Sequence, residues 1–88
     1  MIKQTVTIQN KLGLHTRAAA KLVDTAKKYQ SQIELTFLDR TVDSKSIMSV
    51  ITLGAQKGDN IEVYVEGEDE KEAVAAIAGL VDGKFGEE

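Results

Sequence analysis

The chain has one histidine, His15, in the run Asn10-Lys11-Leu12-Gly13-Leu14-His15-Thr16-Arg17. A neutral imidazole offers a ring nitrogen as a nucleophile. Arg17, two residues on, brings a guanidinium able to pair with an oxyanion. The residues before this run alternate between apolar and polar, and those after it repeat at helical spacing. His15 therefore falls between the end of a strand and the start of a helix. The first amides of a helix point outward without partners, and the helix dipole is positive there. A phosphoryl group at that point meets N–H donors and a favourable field, and Gly13 permits a close approach of the chain. On these grounds alone His15 is either a capping residue or a phosphoryl acceptor. The chain has no cysteine, which excludes thiolate nucleophiles, disulfide scaffolds and thiolate metal sites. One histidine cannot build a histidine-rich metal cage, so no metal or cofactor is expected.

Ser46 is the second candidate. It precedes Ile47-Met48-Ser49-Val50-Ile51-Thr52-Leu53-Gly54, where its hydroxyl suits an N-cap. Five apolar residues crowd this short helix, which can bury only one side. Val50 and Leu53, three apart, suit the core. Ile47, Met48 and Ile51 are then left partly exposed, either as overflow from a small core or as a docking patch with Leu14 and Ala20.

The elements that position these residues follow from periodicity. Four segments alternate with period two: Ile2, Val6 and Ile8 (broken at Gln4); Ile33, Leu35 and Phe37; a short one centred on Val42; and Ile61, Val63 and Val65. Three read as helices: Thr16 to about Lys28, Ile47 to about Leu53, and Asp69 to about Asp82. Asp69 with Glu72 resembles a capping box, and Gly83 suits a helix stop. A tight turn near Asp39 and Arg40 joins the second and third strands. The order is β-α-β-β-α-β-α, and one-sided alternation implies an antiparallel sheet with the helices on its apolar face. Eighty-eight residues make one domain, 1–88, with the tail Gly86-Glu87-Glu88 frayed.

Two strings in register, Gly13-Leu14-His15-Thr16-Arg17-Ala18-Ala19-Ala20 and Lys45-Ser46-Ile47-Met48-Ser49-Val50 with Leu53-Gly54, resemble the histidine-containing phosphocarrier (HPr) family of the bacterial phosphoenolpyruvate-dependent phosphotransferase system. The resemblance covers essentially the whole chain. It implies an open-faced β-sandwich of the α+β class, with a four-stranded antiparallel sheet and three helices on one face. It also implies a carrier rather than an enzyme. His15 would accept a phosphoryl group on Nδ1 from Enzyme I and pass it to an enzyme IIA domain, with Arg17 assisting the phosphorylated state. Ser46 matches a serine that HPr kinase/phosphorylase modifies in many members. Leu14, Thr16, Ala20, Lys21, Lys45, Ile47, Met48 and Ile51 would form the partner-binding surface, and Arg17, Lys21, Lys28 and Lys45 its basic rim. Ala18 stands where the family often has proline, and Ser49 where it often has glycine. Versions without the proline resemble some proteobacterial members and the nitrogen-branch carriers. The alternative function is therefore a nitrogen-branch carrier or a regulatory module read through its phosphorylation state.

Charge is uneven along the chain, which reads either as an acidic solvated helix or as a basic face that meets an acidic partner or an anion. Residues 1–57 hold nine Lys/Arg and four Asp/Glu, a balance of +5, whereas residues 58–88 hold two and ten, a balance of −8. A pI near 5.1 and only four aromatic residues argue against nucleic-acid binding. No apolar run approaches the roughly 20 residues of a membrane span, and the first residues, Met-Ile-Lys-Gln-Thr, lack the basic and then apolar regions expected of a signal peptide. A cytoplasmic monomer is expected.

Overall fold

Alternation along the chain becomes one sheet. The computed structural model describes residues 1–87, in which β1 (Ile2–Thr7), β2 (Gln32–Phe37), β3 (Arg40–Asp43) and β4 (Asn60–Glu66) pair antiparallel in the order β1-β4-β2-β3. The register aligns Val6 with Ile61, Ile33 with Val65 and Leu35 with Val63, so these apolar side chains share one buried face. Lys3 and Glu34 both sit opposite Tyr64 on the other face. A slip of one residue would exchange the two faces, so burial fixes the register.

The helices α1 (Thr16–Ala26), α2 (Ile47–Ile51) and α3 (Glu70–Asp82) cover the apolar face. Helix α3 packs on β1 and β4, and α1 packs against α3 and α2. Ala18, Ala19, Leu22, Val23 and Ala26 of α1 are buried, as are Ala73, Val74, Ile77, Ala78 and Val81 of α3. These stripes recur every three or four residues, which is why each helix seals one side of the core. The expected βαββαβα open-faced sandwich is thus observed.

Several local expectations are corrected. The β2–β3 turn lies at Leu38 and Asp39, since Arg40 already pairs with Phe37. Helix α1 ends at Ala26 and α2 at Ile51, each two residues short of its expected end near Lys28 and Leu53. Asp69 precedes α3 but makes no capping box. Its carboxylate accepts from the Gln30 and Ser31 amides, both at 2.9 Å, and from the Ser31 hydroxyl. Three converging donors outside the helix outcompete the helix's own amides. Gly83 ends α3 with an ordinary φ of −83°, and the left-handed residues are Lys84 and Phe85 just after it.

That reversal overturns the expectation of a frayed tail. Lys84–Gly86 form a 3₁₀ turn, Phe85 is fully buried, and Glu87 is half-buried against the start of α1. Burying one phenyl ring contributes about 1.5–3 kcal/mol, which opposes the fraying normal at a chain end. Glu88 lies outside the described residues. No helix among the described residues is long and apolar enough to cross a membrane.

Candidate functional site

The strand-to-helix junction after β1 is braced before His15 is reached. Gly13 adopts φ +72°, and the Leu14 amide donates to the Ala55 carbonyl at 2.9 Å. Asn10, fully buried, donates its amide to the Gly13 carbonyl at 2.7 Å. The Leu14 side chain is only 4% exposed. It therefore belongs to the core and not to a docking patch, because the brace turns it inward.

His15 is the N-cap of α1, and its Nδ1 accepts the Arg17 amide at 3.2 Å. This amide has no acceptor inside the helix, so the ring satisfies it. A ring nitrogen that accepts carries a lone pair. The hydrogen-bond network thereby assigns the neutral tautomer with its proton on Nε2. Nε2 lies 2.7 Å from the Glu87 Oε2, and Glu87 Oε1 accepts from Asn10 Nδ2 at 3.1 Å. Burial pushes the Glu87 carboxyl up, but the hydrogen bonds from Asn10 and His15 outweigh it and leave the group lowered.

Arg17 is exposed, and its guanidinium has no hydrogen-bond or ion-pair partner among the described residues. With Lys11, Leu12 and Glu87 it lines an open hollow of about 330 Å3 at the start of α1. Thr16 is exposed beside it and Ala20 half-buried one turn on. The arrangement offers one nucleophilic lone pair, outward helix amides and a free cation. That set suits an incoming phosphoryl group, whose transfer needs alignment and charge stabilisation more than acid–base machinery.

The other candidates occupy the neighbouring helix. Ile47 and Met48 are exposed, Met48 by 68%, and Ile51 is half-buried, while Val50 and Leu53 are in the core. The helix that carries this apolar surface, α2, packs against α1. Ser46 holds the N-cap position of α2 but makes no capping bond. Its hydroxyl donates to the Ser49 hydroxyl at 3.1 Å, which corrects the expected cap. Lys45 Nζ donates to the Tyr29 carbonyl at 2.8 Å, and Lys21 Nζ to the Phe85 carbonyl at 2.6 Å. Both lysines are anchored by these bonds, whereas Arg17 and Lys28 are exposed.

Asn10, Leu12 and Glu87 did not emerge from the sequence as site residues. Leu12 carries no signal beyond its place in the His15 run. Asn10 and Glu87 are polar residues distant in sequence from each other, and no periodicity links positions 77 apart. Among the described residues no group of three or more His, Asp or Glu is arranged to hold a metal ion.

Comparison with known proteins adds three findings. Residues 2–82 match the family described as PTS HPr component, phosphorylation site. The chain is 46% identical over 87 residues to a phosphocarrier protein HPr of Neisseria meningitidis serogroup A, covering 99% of this chain and 98% of that protein. It is 46% identical over 88 residues to one from Xylella fastidiosa strain Temecula1, covering 100% and 99%. Among solved structures, HPr-C-His from Thermoanaerobacter tengcongensis superposes with a TM-score of 0.96 at 44% identity, over 100% of this chain and 99% of that one.

Proposed function

The chain belongs to the HPr family of phosphocarrier proteins of the phosphotransferase system, and from that membership we propose that His15 is the transient phosphoryl acceptor. One domain, residues 1–88, would work in the cytoplasm as a monomer, taking the group from phospho-Enzyme I and delivering it to an enzyme IIA domain. The observation that carries this reading is the Nδ1 lone pair held at the start of α1, with Arg17 beside it.

In the loading step Nδ1 attacks the phosphorus in line with the P–N bond of the donor phosphohistidine. The new N–P bond forms as the old one breaks, and the electron pair returns to the donor ring. The Nε2 proton stays in place throughout. The Arg17 amide, freed from Nδ1, then faces the phosphoryl oxygens, and the guanidinium swings over them. Ala18 keeps an amide that proline would lack, which leaves an additional donor in the first turn. Delivery reverses the roles, with the IIA histidine as the attacking nitrogen.

Thr16, Ala20, Ile47, Met48 and Ile51 form the uncharged part of the docking surface. Arg17, Lys21, Lys28 and Lys45 steer acidic partners toward it. Ser46 is the regulatory position, open to an HPr kinase/phosphorylase in a host that has one. A phosphate there adds up to two negative charges beside the docking patch and repels an acidic partner.

A chase experiment tests this reading. Carrier labelled through Enzyme I should discharge its phosphate onto a sugar-specific IIA domain. Discharge onto a nitrogen-branch IIA alone would assign the chain to that branch. A labelled carrier that discharges to neither would favour the regulatory module.

A further inference from the structure

The family match ends at residue 82, yet the segment beyond it returns to the site. We propose that Glu87 is a positioning residue that occupies Nε2 of His15 and so directs phosphorylation to Nδ1. The proposal rests on the reading of His15 as a phosphoryl acceptor.

Histidine has two nitrogens able to take a phosphoryl group, and whichever lacks a proton does so. Glu87 Oε2 stands 2.7 Å from Nε2 and requires a proton there. The same contact covers that nitrogen. In side-chain terms His15 is 26% exposed and Glu87 16%.

The tail is built to hold this contact. Phe85 is fully buried, and its carbonyl accepts from Lys21 Nζ at 2.6 Å. Asn10, itself fully buried, holds the second carboxylate oxygen at 3.1 Å. Helix α1, the loop before it and the core thus each fix one point of the segment. Nδ1, by contrast, is engaged among the described residues only by the Arg17 amide, at a longer 3.2 Å. An electrophile that displaces this weaker bond meets the lone pair directly. Once Nδ1 is phosphorylated, the ring is cationic and keeps its Nε2 proton, so the contact with the Glu87 carboxylate gains a charged donor and becomes an ion pair.

Phosphoramidate tests the proposal without any partner protein. The ring nitrogen attacks phosphorus, the P–N bond of the reagent breaks, and the departing nitrogen takes a proton to leave as ammonia. The two phosphohistidine isomers are separated by 31P NMR. The wild-type chain should give the Nδ1 isomer. Glu87→Ala should raise the share of the Nε2 isomer by about tenfold, the weight of one hydrogen bond. Glu87→Gln keeps the side-chain volume and one acceptor and should fall between the two. If Glu87→Ala does not fold, the Glu87→Gln ratio decides alone. An Nε2 share that is the same in the wild type and the folded variants overturns the proposal. Labelling by Enzyme I is scored separately, so a chain that Enzyme I ignores but phosphoramidate modifies at Nδ1 refutes the carrier function and not the role of Glu87.

Discussion

The carbonyl oxygen of Ala55 stands where a side chain on Gly13 would have to go. A Cβ at Gly13 would lie 2.8 Å from it, and Gly13 also has φ +72°. The same carbonyl accepts the Leu14 amide at 2.9 Å. One backbone oxygen thus fixes the loop that delivers His15 to the end of α1.

Gly13→Ala should therefore destabilise the fold by about 1–3 kcal/mol, through left-handed strain and the forced retreat of Ala55. Thermal unfolding should fall by several degrees, since each 1 kcal/mol shifts a domain of this size by roughly 4–8 °C. An unchanged midpoint would show that the loop is not braced as described.

Leu38 tests backbone strain far from the site. It is 80% exposed and adopts φ +58° in the β2–β3 turn. Asparagine tolerates this conformation better than leucine. Leu38→Asn should stabilise the protein by about 1 kcal/mol in denaturant unfolding, the lower end of the strain of a left-handed residue, and leave phosphoryl loading unchanged.

Asp69, Glu70 and Glu87, all held below their ordinary values, contribute to the acid limb of stability. The Ser31 hydroxyl first, then the Gln30 amide, hold the Asp69 carboxyl below its ordinary value. The Glu87 carboxyl is also lowered, its hydrogen bonds overcoming burial. A carboxyl lowered in the fold adds stability that is fully present above its unfolded pKa. That stability is lost as pH falls through the folded value. The loss therefore lies below about pH 4, the ordinary carboxylate range. Asp69→Asn should flatten the stability–pH curve there and lower stability near neutrality. An acid slope as steep in this variant as in the wild type would contradict the assignment, since only the Glu70 and Glu87 contributions should remain.

Much of the fold was legible because periodicity reports burial. Ile61, Val63 and Val65 announce a strand with one covered face, and Ala73, Val74 and Ile77 a helix packed on it. The tail was misread for a physical reason. Phe85 is a lone aromatic among glycines and charges, and only the tertiary contact that buries it gives the segment a place. Asp69 shows the same limit: its spacing to Glu72 suggested a local cap, whereas the stronger donors arrive from Gln30 and Ser31, 39 and 38 residues away in the chain. His15 and Arg17 were legible as a pair because they are adjacent on one helix end. Glu87 was not, because it reaches that end from 72 residues away.

Met48 separates docking from folding. It is largely exposed on α2, while Val50 two residues on is fully buried. Met48→Ala should leave stability within about 0.5 kcal/mol and weaken Enzyme I binding by about tenfold, the weight of one interface anchor. Val50→Ala should do the reverse, costing about 1–3 kcal/mol of folding free energy with little direct effect on binding by the folded fraction. Calorimetric titration and denaturant unfolding on both variants distinguish the two roles.

The central claim is that His15 carries the phosphoryl group, and incubation with phosphoenolpyruvate and Enzyme I tests it most directly. The account predicts one acid-labile, base-stable phosphate per chain, none on His15→Ala, and loading slowed by at least about tenfold in Arg17→Ala, the weight of one charge-assisted hydrogen bond. A His15→Ala chain that still takes up the label, or a wild-type chain that never does, would contradict it.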